Sequence, residues 1–135
     1  MLAANEAFYE AFASGDAARM AAMWATGPHA QVIHPGAACI AGAEDVAASW
    51  RAILGDTAGS VAAVDITDVR VHAPSSGGGG SGELAFVTCV ENLMGADGRG
   101  VGRAVATNIF ERDLDAQESH GWRIVMHHAS PFMAM

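Results

Sequence analysis

The sequence contains no lysine, and its seven basic residues are all arginines. They are outnumbered by 15 aspartates and glutamates, so the formal net charge is -8 at pH 7. Nucleic-acid binding draws much of its affinity from clustered Lys and Arg side chains that neutralise phosphates. The composition therefore argues against a nucleic-acid partner.

Long hydrophobic runs are also missing. No apolar stretch approaches the roughly 20 residues that a membrane-spanning helix needs, and the chain starts directly in an amphipathic pattern rather than in a signal sequence. We expect a soluble, cytoplasmic protein without a membrane partner, or an organellar one if a transit peptide has been removed.

Cysteine is scarce, and neither Cys39 nor Cys89 lies in a CxxC or Cys/His spacing typical of a metal site. We expect both to be reduced core residues, because free cysteine packs as a small hydrophobe. Hydrophobic residues make up 51% of the 135 positions, which is enough for a core without a disulfide. The sequence predicts one domain over residues 1–135.

Helical periodicity dominates the first half of the chain. The spacing of Leu2, Asn5, Phe8, Tyr9 and Phe12 predicts that they share the inner face of an opening helix. Gly-Asp at the end of that helix suits a helix stop followed by a new start, and Pro-Gly after a short alternating segment suits a strand end. The predicted elements are helices at 2–14, 17–25 and about 43–54, and a short strand at 30–34.

The period changes from 3.6 to 2 in the second half, which predicts four consecutive strands. The first of them contains a phase slip that indicates a bulge. Short connections favour an antiparallel meander with the three helices on its concave face, an α+β architecture. The predicted strands are 61–72, 84–92, 101–112 and 122–130, with a flexible Gly/Ser loop at about 74–82.

Two polar residues stand in apolar company on the predicted strands. Glu91 shares a face with Cys89, and Asn108 shares a face with Phe110. Burial of an unpaired carboxyl or amide costs several kcal/mol, so each needs a partner, and a histidine or a tryptophan ring N–H is a natural one. Strict alternation in the last strand allows only one of His127 and His128 to face the interior.

Several segments together resemble the nuclear-transport-factor-2-like superfamily, in particular its SnoaL-like branch. They are FYEAFASGD at the first helix, MxxMW in the second, IHPG, GxEDVxxSW, CVEN, ATNIFER and GWRIVMHHASP. The resemblance covers almost the whole chain and implies a cone-shaped fold with a hydrophobic cavity. The superfamily includes ketosteroid isomerases, dehydratases, polyketide cyclases, transport adaptors and kinase association domains, so one fold serves many functions.

The isomerase and dehydratase branches imply acid–base chemistry on a small apolar carbonyl compound. The candidate catalytic residues are Glu91, His128 and, as a second base, His34, with Asn108 as the orienting group. No cofactor is expected, and no metal, because adjacent strand residues diverge and His127 and His128 cannot both bind one ion. The candidate pocket residues are Tyr9, Trp24, Trp50, Asn108 and Met126. In the structural alternative, His34 caps a turn, Asn108 ties strands together, and the two adjacent histidines support the sheet or a dimer interface.

The last strand also resembles that of the calcium/calmodulin-dependent kinase II association domain, a module that assembles dimers into rings. That domain holds carboxylates with two cavity arginines, and Ala129 and Asn108 stand at the matching places here. The family resemblance implies a homodimer through the outer face of the sheet. A non-catalytic assembly module is therefore the alternative to a small-molecule enzyme.

Overall fold

The computed structural model describes residues 1–57, 61–74 and 82–132. Three helices pack on one curved six-stranded sheet, which is the predicted α+β class. The elements are α1 (Leu2–Ser14), α2 (Ala17–Ala22), β1 (Gln31–Ile33), β2 (Ile40–Ala41), α3 (Ala43–Thr57), β3 (Ala63–His72), β4 (Leu84–Met94), β5 (Gly100–Arg112) and β6 (Trp122–Pro131). The glycine- and serine-rich segment predicted as a loop lies, at 75–81, outside the described residues.

The junction of α1 and α2 follows from its sequence. Gly15 ends α1 in the left-handed conformation, with φ of 72°, where a residue without Cβ is favoured. Asp16 caps α2 by accepting hydrogen bonds from the backbone N–H groups of Ala18 and Arg19. The inner face of α1 is buried as predicted, except that Leu2 in its first turn is exposed.

The sheet order is β2-β1-β6-β5-β4-β3. The four long strands form the predicted antiparallel meander. The short strands extend it beyond β6, with β1 parallel to β6 and β2 antiparallel to β1. Strand β2 has only two residues, too few for a sequence period to show.

The register shifts at three places in the described sheet, one of them between Leu93 and Met94 of β4. In β3 the register shifts between Thr67 and Arg70, at the phase slip that the sequence shows. In β6, Ile124 pairs with Phe110 and Met126 pairs with Ile109, so Val125 is an extra residue. An extra residue reverses which side chains face inward further along the strand.

The core lies between the helices and the concave face of the sheet. Its largest fully buried side chains include Trp50, Phe8, Phe110 and Ile124. Cys89 is a buried free thiol as predicted, whereas Cys39 is an exposed free thiol in the connection before β2, so its predicted core position is wrong. Over the described ranges no helix has the length and apolar character needed to cross a membrane; the cytoplasmic location stays a prediction.

Candidate functional site

A cavity of about 280 Å³ lies between the helices and the concave face of β4, β5 and β6. Its wall is mainly apolar, and the carboxyl of Glu91 and the rings of His34 and His127 also line it. Arg103 borders it too, but its guanidinium hydrogen-bonds Asn92 and lies over the ring of Phe132. The remaining lining residues are Phe12, Pro35, Trp50, Ile53, Val61, Leu93, Gly102, Ala104 and Pro131.

Glu91 is only 3% exposed and stands on β4 opposite Ala104 of β5. The hydroxyl of Tyr9 donates a hydrogen bond of 2.7 Å to its Oε2, whereas Oε1 makes no hydrogen bond to any described residue. Burial raises the pKa of Glu91 to about 7, and the hydrogen bond from Tyr9 only partly opposes this. The carboxyl therefore gains and loses its proton near neutral pH.

His127 is held by Asn108. The Nδ1 atom of the ring lies 2.6 Å from Oδ1 of the amide, and the amide nitrogen donates to Oδ1 of Asn5 and to the hydroxyl of Tyr9, both at 3.0 Å. This network assigns the amide oxygen as an acceptor, so Nδ1 of His127 carries the hydrogen. Its Nε2 is left as a lone-pair nitrogen.

Nε2 of His127 lies 3.7 Å from Oε2 of Glu91. This separation falls within the range of an ion pair but exceeds that of a direct hydrogen bond. Burial is the main cause that lowers the pKa of His127 to about 3, and His34 and His128 lower it further. Because burial disfavours both charges, the pair is not an ion pair at neutral pH; the imidazole is neutral and the proton on Glu91 sets the charge of the site.

Tyr9 supports Glu91 from behind the cavity wall. Its hydroxyl accepts from Asn108 and also lies 3.3 Å from the thiol sulfur of Cys89. Burial, followed by the nearby Glu91 and Cys89, raises the pKa of Tyr9 well above its ordinary value of 10.0. The phenol therefore keeps its proton and remains a hydrogen-bond donor to Glu91.

His34 follows the end of β1 and meets the edge of the Trp50 ring, with 4.8 Å between ring centroids. Its Nε2 lies 3.0 Å from Oγ of Ser49 in α3. Burial lowers the pKa of His34. The backbone, through Ala37 N–H and the carbonyl of His34, closes the turn that follows, so the side chain is left to line the cavity.

The structure brings Glu91, Tyr9 and Asn108 into one buried cluster and places His34 and Trp50 on the cavity wall. The expectation that Glu91 and Asn108 would need polar partners is confirmed. Asn5, predicted only as an inner-face residue of α1, joins the cluster. An amide on an apolar helix face was the signal for its role.

Of the five predicted pocket residues, Trp50 lines the cavity, whereas Tyr9 and Asn108 lie behind its wall. Three further predicted positions are wrong. His128 is exposed on the outer face of the sheet, and His127 takes the inner position. Met126 pairs with Ile109, which alternates with the inward Asn108 and Phe110, so it also faces outward. The bulge at Val125 is the physical cause of both errors.

The third is Trp24, which does not line this cavity. Its backbone bridges to Ile124, and its ring packs against Phe8 at 6.5 Å between centroids. Trp24 is therefore a core residue next to a separate surface depression beside α2 and α3.

No group of three histidine, cysteine, aspartate or glutamate side chains that could hold a metal ion is found within the described parts of the chain. The side chains of Glu91, His34 and His127 can transfer protons and form hydrogen bonds.

All 135 residues match the sequence model of the SnoaL-like domain family. The chain belongs to this family. The resemblance expected from the sequence motifs is thereby confirmed. None of the curated proteins compared with this SnoaL-like chain matches it.

Two solved structures share about a third of the sequence. A candidate dehydratase of the nuclear-transport-factor-2-like family from Streptomyces avermitilis is 31% identical over 97% of this chain and 92% of that one, with a TM-score of 0.73. A candidate calcium/calmodulin-dependent protein kinase type II association domain from Thiobacillus denitrificans is 32% identical over 96% and 93%, with a TM-score of 0.66.

A candidate ketosteroid isomerase from Parabacteroides distasonis is 16% identical over 97% of this chain and 84% of that one, with a TM-score of 0.69. At this identity the similarity shows the fold alone. A candidate dehydratase and a candidate association domain are thus both among the structures that share about a third of this sequence.

Proposed function

We propose that this SnoaL-like protein is an acid–base enzyme that binds a small apolar carbonyl compound. In this enzyme Glu91 removes a proton from the compound and returns it. The observation that carries the proposal is a single buried carboxyl in an otherwise mainly apolar cavity wall. A carboxyl whose pKa is close to the working pH can both remove and return a proton.

Each polar side chain has a distinct role. Tyr9 occupies Oε2 of Glu91, so Oε1 is the oxygen left for the substrate. Asn108 is a positioning residue that turns Nε2 of His127 toward Glu91, where a neutral imidazole can accept a hydrogen bond. His34, across the ring of Trp50, is the second candidate base.

The proton balance defines the possible reactions. The carboxylate of Glu91 removes a proton from the carbon beside the carbonyl group and leaves an enolate. The resulting carboxylic acid returns that proton to a different carbon in an isomerisation, or gives it to a departing hydroxyl group in a dehydration that releases water. The candidate dehydratase relative supports this class of reaction.

Deuterium exchange tests the proposal before the natural substrate is known. Small cyclic ketones such as cyclohexanone and 2-tetralone are incubated with the protein in D₂O, and uptake at the carbon beside the carbonyl is followed by NMR. We expect wild-type protein to accelerate uptake at pH 7. The Glu91→Gln variant, which keeps the size of the side chain, should reduce this acceleration by about a hundredfold or more.

Glu118→Gln is the matched control, because Glu118 is an exposed carboxylate in the β5–β6 connection. It should exchange the ketones at the wild-type rate. Equal rates for wild type and Glu91→Gln would contradict the proposal.

A second function, assembly, is favoured by the association-domain relative. We propose a homodimer formed through the outer face of the sheet. Exposed apolar side chains on that face support it, namely Phe86, Val105 and Phe132. Assembly and catalysis use opposite faces of the sheet and are compatible.

A further inference from the structure

The contacts of Ser49 bear on which ring nitrogen of His34 carries the hydrogen. The hydroxyl of Ser49 donates its one hydrogen to the carbonyl of Val46 at 2.7 Å. That contact is shorter than the 3.0 Å contact with Nε2 of His34, so we place the hydroxyl hydrogen on the side of the carbonyl and treat the hydroxyl oxygen as the acceptor from His34. His34 therefore carries its hydrogen on Nε2, and Nδ1 has a lone pair that no described residue hydrogen-bonds.

The neighbouring histidine presents the same kind of atom. His127 carries its hydrogen on Nδ1, toward Asn108, so Nε2 is its lone-pair nitrogen. Both rings contact Trp50, with centroid distances of 4.8 Å for His34 and 5.6 Å for His127. Two neutral imidazoles on the cavity wall thus each offer an acceptor and no free donor.

Several other donors near the cavity are engaged or enclosed. The hydroxyl of Tyr9 donates to Glu91, and the guanidinium of Arg103 is held by Asn92 and Phe132. The ring N–H of Trp50 is covered by protein atoms. A carboxylate placed beside His34 and His127 would lose its hydration next to two acceptors, and it would be repelled by Glu91 when that group is ionised.

We propose that the cavity selects a neutral ring compound with a hydroxyl group that donates its hydrogen to Nδ1 of His34, and that it rejects the carboxylate analogue of the same ring. The inference deepens the proposed function, on which it rests for the identity of the cavity, by naming the substrate as hydroxylated and uncharged. A hydroxyl group donates a hydrogen bond to the lone pair of Nδ1. An ether or a carboxylate has no hydrogen to donate and would place a further acceptor beside the two imidazole nitrogens.

Three naphthalene probes test this selection, because they share one ring system and differ only in the polar group. Binding of 2-naphthol, 2-methoxynaphthalene and 2-naphthoate is measured by calorimetry at pH 7. We expect 2-naphthol to bind about tenfold more tightly than the methyl ether, the effect of one hydrogen bond, and 2-naphthoate to bind more weakly still. Equal affinity for naphthol and ether, no binding of naphthol, or tightest binding of naphthoate would overturn the proposal.

A variant and a direct observation test whether His34 causes the preference for 2-naphthol. His34→Phe should lower the affinity for 2-naphthol to that for the ether. In unmodified protein, ¹⁵N NMR of labelled histidines should show the hydrogen of His34 on Nε2 and that of His127 on Nδ1. A hydrogen on Nδ1 of His34 would contradict the inference whether or not the variant folds.

Glu91→Gln distinguishes this inference from the proposed function. That variant should keep the preference for 2-naphthol even though it loses proton transfer. No acceleration of deuterium exchange by wild type would refute the enzyme proposal alone, whereas no preference of wild type for 2-naphthol would refute the hydroxyl selection alone.

Discussion

Asn108 ties together the buried polar cluster. Its amide contacts His127, Tyr9 and Asn5, so a substitution by Leu leaves at least two buried polar groups without partners. Each such group costs about 1–3 kcal/mol. We expect Asn108→Leu to lower the free energy of unfolding by about 2–4 kcal/mol, measured by urea denaturation.

The control for Asn108 is Asn92→Leu. Asn92 is also a strand asparagine with hydrogen bonds to neighbouring strands, but its contacts are exposed to solvent. Water can replace those contacts, so this variant should lose less than about 1 kcal/mol. Equal losses of unfolding free energy in the two variants would show that the buried cluster contributes no more to stability than exposed hydrogen bonds do.

The raised pKa of Glu91 makes stability depend on pH. The folded protein holds the proton up to about pH 7, whereas the unfolded chain releases it near the ordinary value of 4.5. The stability contributed by Glu91 is therefore present below pH 4.5 and is lost as the pH rises through 7. Between pH 4.5 and 8, the free energy of unfolding of wild type should fall by about 3 kcal/mol relative to Glu91→Gln.

Urea denaturation of both proteins at a series of pH values checks this slope. His127 is present in both, so its own titration cancels in the difference. A difference that stays constant with pH, or that grows in favour of wild type, would be inconsistent with a buried carboxyl of raised pKa.

At the scale of the element, the bulge in β6 decides which histidine enters the cavity. Deletion of Val125 removes the unpaired residue and restores a regular register, in which Ile124 and His127 still face inward. We expect the deletion variant to fold and to keep His127 buried. Deletion of Thr107, in the regular part of β5, would turn its neighbours Asn108 and Phe110 to the wrong face and should abolish folding.

Circular dichroism and thermal unfolding distinguish the two deletions, and the histidine ¹⁵N signals report whether His127 still bonds Asn108. If both deletions unfold the protein equally, the bulge is required for more than placing a side chain.

The sequence predicts the long elements and part of the site for physical reasons. The period of β4 and β5 is regular, so Glu91 and Asn108 could be placed inside, and their need for partners pointed to a cluster. The inward-facing residues of β6 could not be predicted in this way, because its apolar residues run through Ile124, Val125 and Met126 without alternation. A bulge there leaves no mark in the pattern, and this is why His128 and Met126 were expected inside.

At the scale of the whole molecule, the outer face of the sheet carries the expected interface. Val105 lies near its centre on β5, opposite Val90, and is 40% exposed. A charge buried in a symmetric dimer interface meets its own copy or apolar neighbours. We expect Val105→Arg to convert a dimer to a monomer in native mass spectrometry.

Leu114→Arg provides the matched control, because Leu114 is an exposed leucine in the β5–β6 connection, outside the strands of the sheet. It should leave the mass of the assembly unchanged. A wild-type protein that is monomeric at micromolar concentration would contradict the interface.

The proposed chemistry depends on a single buried carboxyl, that of Glu91, which exchanges its proton at neutral pH inside the cavity. Its titration can be followed directly by ¹³C NMR of the labelled side-chain carboxyl, with the signal assigned by its disappearance in Glu91→Gln. We expect a midpoint near pH 7. A midpoint near 4.5, the value of an ordinary glutamate, would contradict the proposal, because the group would then be a solvated or paired carboxylate and too weak a base to exchange its proton at neutral pH.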